Sequence, residues 1–132
     1  MPRPPRNEPP ETRVWQYELP GGWIVFAGRT DRDNDRLSLR LAKPNDWWFH
    51  VRGLPGSHVI LRVPADREPD NVTIMAAAAI AAWHSRKREA RVVAVSATRA
   101  RYVTKPRGAQ PGTVEIRRDK VLNVRPSLPP AT

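Results

Sequence analysis

The sequence predicts an α+β domain: a mostly antiparallel sheet, arranged as a meander, with one main Ala-rich helix packed on it. Three observations carry that prediction. Short apolar or alternating runs punctuated by Gly, Pro, Asn and Asp occupy the stretch from Trp23 to Val63. One long Ala-rich run, Ile74 to Trp83, follows them. Strand-like runs then resume from Arg91. A chain of 132 residues, 39% hydrophobic, is enough for one domain with a modest core.

The elements follow in order. Gly21 and Gly22 make a turn, and Trp23 to Ala27 reads as a buried strand. Gly28 to Asp35 is a polar loop. Its Arg29 and Asn34 suit RNA contact, but Asp31, Asp33 and Asp35 repel phosphate, so a local turn role is expected. Leu37, Leu39 and Leu41 alternate with Ser38, Arg40 and Ala42, which predicts a half-buried strand. Further strands are expected at Trp47 to Val51 and Ser57 to Val63, with short connections. Asp70 is positioned as the N-cap of the helix, with Val72, Ala76, Ala79, Ile80 and Trp83 as its buried stripe and an end near Arg86 to Arg88. After it come strands at Arg91 to Val95 and Arg101 to Val103, then a closing hairpin of Thr113 to Ile116 with Lys120 to Val124. Prolines crowd both ends. The folded body is expected over residues 14–125, between flexible tails at 1–13 and 126–132.

Composition narrows the function. There is no cysteine, which removes disulfide frameworks and thiolate zinc sites and fits a reducing, cytoplasmic setting. No N-terminal apolar stretch suggests a signal peptide, and no run is long enough for a membrane span. The net charge of +10 points to a polyanion, and its distribution sharpens the point. His84 to Arg107 holds eight basic residues against one acid, whereas Arg29 to Asp70 holds eight against seven. An Arg-rich codon bias alone would not gather the excess into one block. Nucleic acid is the expected partner.

Two constellations could carry contacts. On a strand, Trp47, Phe49 and Val51 point one way, leaving Trp48 and His50 on the other face. An open aromatic beside cations is a stacking platform for bases, and His58 would adjoin it; the alternative is that these side chains pack beneath another element. The second constellation is the loop from Tyr102 to Gly112, where Pro106 and Pro111 stiffen the presentation of Lys105 and Arg107 to phosphate. Joined with Arg86, Lys87 and Arg88 at the helix end, it is the best basic patch in the chain. Ser57 and His58 are adjacent and so face opposite sides of a strand, which argues against a nucleophile–base pair. Asp46, His50 and His58 match no metal-ligand spacing.

In these same motifs the sequence resembles the NFACT RNA-binding domain family. The resemblance rests on Gly28-Arg29 with Asn34-Asp35, on Asp46 to His50, on Gly56 to Ile60, on the Ala-rich helix running into Ala81 to Lys87, and on Tyr102-Val103 followed by Lys105 to Gly112. They occur in order from about Trp23 to Val124. Members of this family end large ribosome-associated quality-control factors, engaging the large subunit and tRNA, and also occur as short RNA-binding proteins. The resemblance therefore implies an α+β nucleic-acid-binding module with neither catalytic activity nor cofactor. The chain shows no NFACT N-terminal domain, helix-hairpin-helix or coiled coil, so a stand-alone module is expected.

The resulting expectation is a cytoplasmic module for structured RNA, tRNA or rRNA first, that touches phosphates through Arg29, Arg86, Lys87, Arg88, Lys105 and Arg107 and lines the adjoining face with Trp48, His50 and His58. DNA is the competing polyanion, because counterion release does not distinguish the two. The rival readings are a protein–protein adaptor at the ribosome and, further off, a metal-dependent or hydrolytic enzyme built on Asp46, His50 and His58.

Overall fold

The computed structural model describes residues 12–130. All but Thr12 and Arg13 of the expected N-terminal tail lies outside that range. The architecture is α+β. Six antiparallel strands form one sheet: β1 (Val14–Leu19), β2 (Trp23–Gly28), β3 (Trp47–Val51), β4 (Val59–Leu61), β5 (Val93–Arg99) and, last in the chain, β8 (Lys120–Val124). Their spatial order is β1-β2-β4-β3-β5-β8, so β4 inserts between β2 and β3 and the sheet departs from a simple meander there. The short strands β6 (Val103–Thr104) and β7 (Glu115–Ile116) form a separate ribbon. Two α-helices complete the fold, α1 (Asp31–Arg36) and α2 (Asn71–Trp83).

Both faces of the sheet are covered. On one, α2 lies across a core built from Val25, Phe49, Val51, Val59, Leu61 and Val95. Ala77, Ala78, Ala81 and Ala82 are fully buried there, and their small side chains let the helix backbone approach the strands. A Leu in place of Ala78 would overpack this contact by about 1–3 kcal/mol. The other face holds a second cluster of Leu37, Trp48, Ile60 and Val103, roofed by α1, the segment after it and the β6–β7 ribbon.

Several elements differ from the sequence reading, each for a physical reason. The Val14–Leu19 strand was not anticipated: it is the sheet's edge, so its burial pattern carries no clean alternation. The polar loop at Asp31 to Asp35 is a helix, because Thr30 caps it by accepting the Asp33 N–H at 3.1 Å and Asp31 and Asp33 suit its first turn. Leu37 to Leu41 continues it as a π-helical turn, closed by Ala42 N–H donating to Leu37 O at 2.9 Å, instead of forming a strand. That turns Leu37 and Ser38 inward and leaves Leu41 exposed. In α2, Ala79 and Ile80 of the expected stripe are buried, but the buried face continues through Ile74, Ala77, Ala78 and Ala81, and Val72 is 77% exposed. The helix also ends earlier, at Trp83, since the chain turns to pair with the segment before β4: Ser57 N–H donates to His84 O, and Gly56 bridges to Ser85. No closing hairpin forms, because β7 pairs with β6 while β8 crosses to β5. The segment expected as a loose C-terminal tail is docked in part. Pro126 is buried, Leu128 packs on the core, and Ser127 N–H donates to Ala79 O at 3.2 Å.

Candidate nucleic-acid interface

The ends of β1 and α2 meet at one side of the sheet. There the Trp15 indole stacks on the His84 imidazole, with ring centroids 4.4 Å apart and planes 18° from parallel. A 2.6 Å hydrogen bond between the Tyr17 hydroxyl and His84 Nε2 fixes the ring. Burial, followed by the nearby Arg88 charge, holds the His84 pKa down to about 4, so the imidazole is neutral near pH 7. The Arg29 guanidinium lies over the Trp15 ring, 5.1 Å from its centroid. Arg88 is held by a 2.8 Å hydrogen bond to Trp83 O and rests on the Trp83 ring. Trp15, Arg29, His84, Arg86 and Arg88, with the turn at Gly56, line an open cleft of about 370 Å³.

Three sequence-selected cations, Arg29, Arg86 and Arg88, are thus brought to one place, with Lys87 exposed beside them. Its aromatic floor was missed. Trp15 precedes the first motif read from the sequence, and only the fold brings it to His84.

A second groove, about 520 Å³, runs along the opposite side of α1. Arg32, Arg36 and Arg40 line it at four-residue spacing, on one face of the helical segment. Charge counting missed this stripe because the intervening acids cancel it on paper. In the fold each has its own partners, although Asp35 lines the same groove. Asp33 is buried, accepting from Arg13 N–H at 2.9 Å and from the Thr30 hydroxyl at 2.7 Å, and Asp35 pairs with Lys105.

The remaining expected residues separate. Lys105 turns inward, donating to Asp35 and to the carbonyls of Gln110 and Thr113, which uses its three N–H groups. Arg107 stays exposed on the loop that Lys105 fixes. That loop also needs Gly112, where a Cβ would meet Asp31 Oδ1 at 2.9 Å. The basic block from Arg86 to Arg107 is not one surface. Strand β5 carries Arg99 about 20 Å from Val93, and Arg99 and Arg101 bind Asn45 at that far end.

Trp48 and His58 do not form an open platform: they are 3% and 2% exposed. The π-helical turn covers them. Trp48 Nε1–H donates to Ser38 Oγ at 2.9 Å, Ser38 Oγ–H to His58 Nδ1 at 2.8 Å, and His58 Nε2–H to Gly112 O at 3.1 Å. This chain of donors requires a neutral His58. Burial, and then the neighbouring His50, keeps its pKa down at about 4. His50 is half-buried, stacked on Trp48 at 5.9 Å, and burial lowers its pKa as well. Asp46 is fully buried and serves neither histidine: it accepts from Lys43 and Val63 N–H groups and pairs with Arg62 at 3.3 Å. Ser57 donates to Gly28 O rather than to a histidine. Among the described residues, no group of three His, Asp or Glu side chains is placed to hold a metal ion, and no helix is long and apolar enough to cross a membrane.

Comparison with known proteins shows the family. The family profile described as the NFACT protein RNA binding domain matches residues 13–118. The chain belongs to that family. It is 39% identical over 121 residues to the Rqc2 homolog RqcH of Bacillus subtilis, covering 92% of this chain and 21% of that protein. To the Streptococcus suis RqcH it is 36% identical over 107 residues, covering 81% and 19%. This NFACT RNA-binding domain therefore spans about a fifth of the length of those relatives. Among solved structures, it resembles the C-terminal part of the fibronectin/fibrinogen-binding protein from Streptococcus suis. The TM-score is 0.80 at 32% identity, over 93% of this chain and 50% of that one.

Proposed function

We propose that this domain binds structured RNA, tRNA or rRNA first, at or near the large ribosomal subunit. The observation that carries the reading is the convergence of Arg29, Arg86 and Arg88 on one cleft, flanked across α1 by Arg32, Arg36 and Arg40. Guanidinium groups present rigid forks of donors that match phosphate oxygens, and here those of the cleft sit in the short connections that flank β2 and α2. Lys87 and Arg107 extend the patch, while Lys105 acts indirectly by holding the Arg107 loop. RNA is preferred to DNA because the family is an RNA-binding one by description, and the ribosomal setting follows from its resemblance to RqcH proteins.

The test is a titration of purified protein against bulk tRNA, rRNA fragments and duplex DNA at about 50 and 200 mM salt. RNA binding that persists at the higher salt, with DNA clearly weaker, is expected. Removing Arg86 and Arg88 together should flatten the salt dependence by roughly two units, about one per lost phosphate contact. Equal, weak binding that vanishes with salt would overturn the reading.

One observation favours a second reading, an adaptor that docks on protein: the solved relative carries the name of a fibronectin/fibrinogen-binding protein. A partner that stays bound through nuclease and high salt would support it.

A further inference from the structure

Trp15 occupies an unusual position for a structural tryptophan. It sits on an edge strand, is 36% exposed, and joins neither apolar cluster of the fold. His84, at 4.4 Å and almost parallel, backs one face of its ring. The Arg29 guanidinium also lies over the ring, 5.1 Å from its centroid. That cover is a single exposed side chain.

We propose that the Trp15 cleft is a stacking site for one unpaired nucleotide of RNA, the base taking the place over the indole where Arg29 lies and its phosphate meeting Arg86 and Arg88. The inference rests on the RNA-binding reading and deepens it, from phosphate contact to capture of a single-stranded base.

Four features support it. The cleft, about 370 Å³, falls in the range of small-ligand sites. Its aromatic backing is prearranged: the Tyr17 hydroxyl anchors His84, and His84 in turn sets the plane of Trp15. Arg29 is tethered through its backbone, where its N–H donates to Arg13 O at 3.3 Å. Its side chain can therefore leave the indole while its cation stays at the rim. Finally, the lining is asymmetric. Asp31 is its one carboxylate and stands at the start of α1, whereas Arg86 and Arg88 come from the turn after α2. Phosphate is repelled from the first and drawn to the second, which orients the nucleotide. Aromatic side chains that stack single bases are a recurring mode of RNA recognition, because every base offers a π-face.

The experiment uses the full chain and two RNA probes with equal numbers of phosphates, a hairpin with an unpaired loop and a blunt duplex. Wild type should bind the hairpin more tightly. Trp15→Ala should weaken hairpin binding roughly tenfold while leaving duplex binding within about twofold. Trp15→Phe, which keeps an aromatic face, should retain most of the affinity and guards against a folding defect in the alanine variant. Hairpin addition should quench tryptophan fluorescence in wild type, and that quench should largely disappear in Trp15→Phe. If wild type binds both probes alike and Trp15→Ala changes neither, the stacking site is overturned and RNA binding stands. An equal loss for both probes in a folded Trp15→Ala protein overturns it too. If wild type binds neither probe, the RNA-binding reading itself falls, and this inference with it.

Discussion

Lys105 Nζ lies 3.1 Å from Asp35 Oδ2, an ion pair between residues seventy positions apart that ties the Pro106–Gly112 loop to α1. The same carboxylate accepts the Gly112 N–H at 3.0 Å. Two cations of one loop therefore have different work. Lys105→Ala should lower stability by about 1–2 kcal/mol, through the lost hydrogen bonds more than the partly screened ion pair. Arg107→Ala should leave stability within about 0.5 kcal/mol and flatten the salt dependence of RNA binding by roughly one unit. Urea unfolding and a salt titration of both variants separate the two roles.

Ser38 is the relay between Trp48 and His58. Its replacement by Ala would leave the indole N–H and the imidazole Nδ1 unsatisfied in a buried place. A loss of about 1–3 kcal/mol is expected in chemical denaturation, with RNA affinity unchanged. An affinity loss in folded protein would instead implicate this cluster in binding.

The histidines set a pH dependence. His58 and His84 have folded pKa values near 4, below the usual 6.5, so the folded state binds fewer protons than the unfolded chain between those values. Stability is then fully present above pH 6.5 and falls as the pH drops towards 4. The buried His58 contributes on the order of 3 kcal/mol, and the more open His84 less. Unfolding midpoints from pH 8 to 4, alongside imidazole proton shifts in NMR, check both size and assignment.

Asp46 gives a prediction opposed to any catalytic role. Its oxygens hold the N–H groups of Lys43 and Val63 and the Arg62 guanidinium, and it has no exposed surface. Asp46→Ala should cost about 3 kcal/mol, since two backbone donors and the partly exposed Arg62 guanidinium lose their buried acceptor. Thermal melting would show this as a large fall in Tm.

Much of the fold was legible. The strands around Phe49 and Val59, the Ala-rich helix and the Asp70 cap follow from local pattern. The failures share a cause. Leu37 to Leu41 alternates like a strand, but the Thr30 cap and the burial of Ser38 decide for a helical segment, and both are contacts outside the run. The phase of α2 was hidden because Ala and apolar residues lie on every side of it. At the site, exposed cations were readable from charge, whereas the fates of Lys105 and Trp48 depended on Asp35 and Ser38. The Arg32–Arg36–Arg40 stripe was masked by Asp33, which the fold buries, and by Asp35, which Lys105 pairs within the groove.

The Tyr17–His84 contact joins residues 67 positions apart, with β1 made first and α2 far later. During synthesis the first strand leaves the ribosome with its aromatic side chains unpartnered, and the cleft cannot assemble until α2 has emerged and docked. Nascent chains short of His84 hold eleven basic residues against ten acids and lack Arg86 and Arg88, so they have neither the charge nor the shape of the cleft. The cleft is complete only once translation has passed that point.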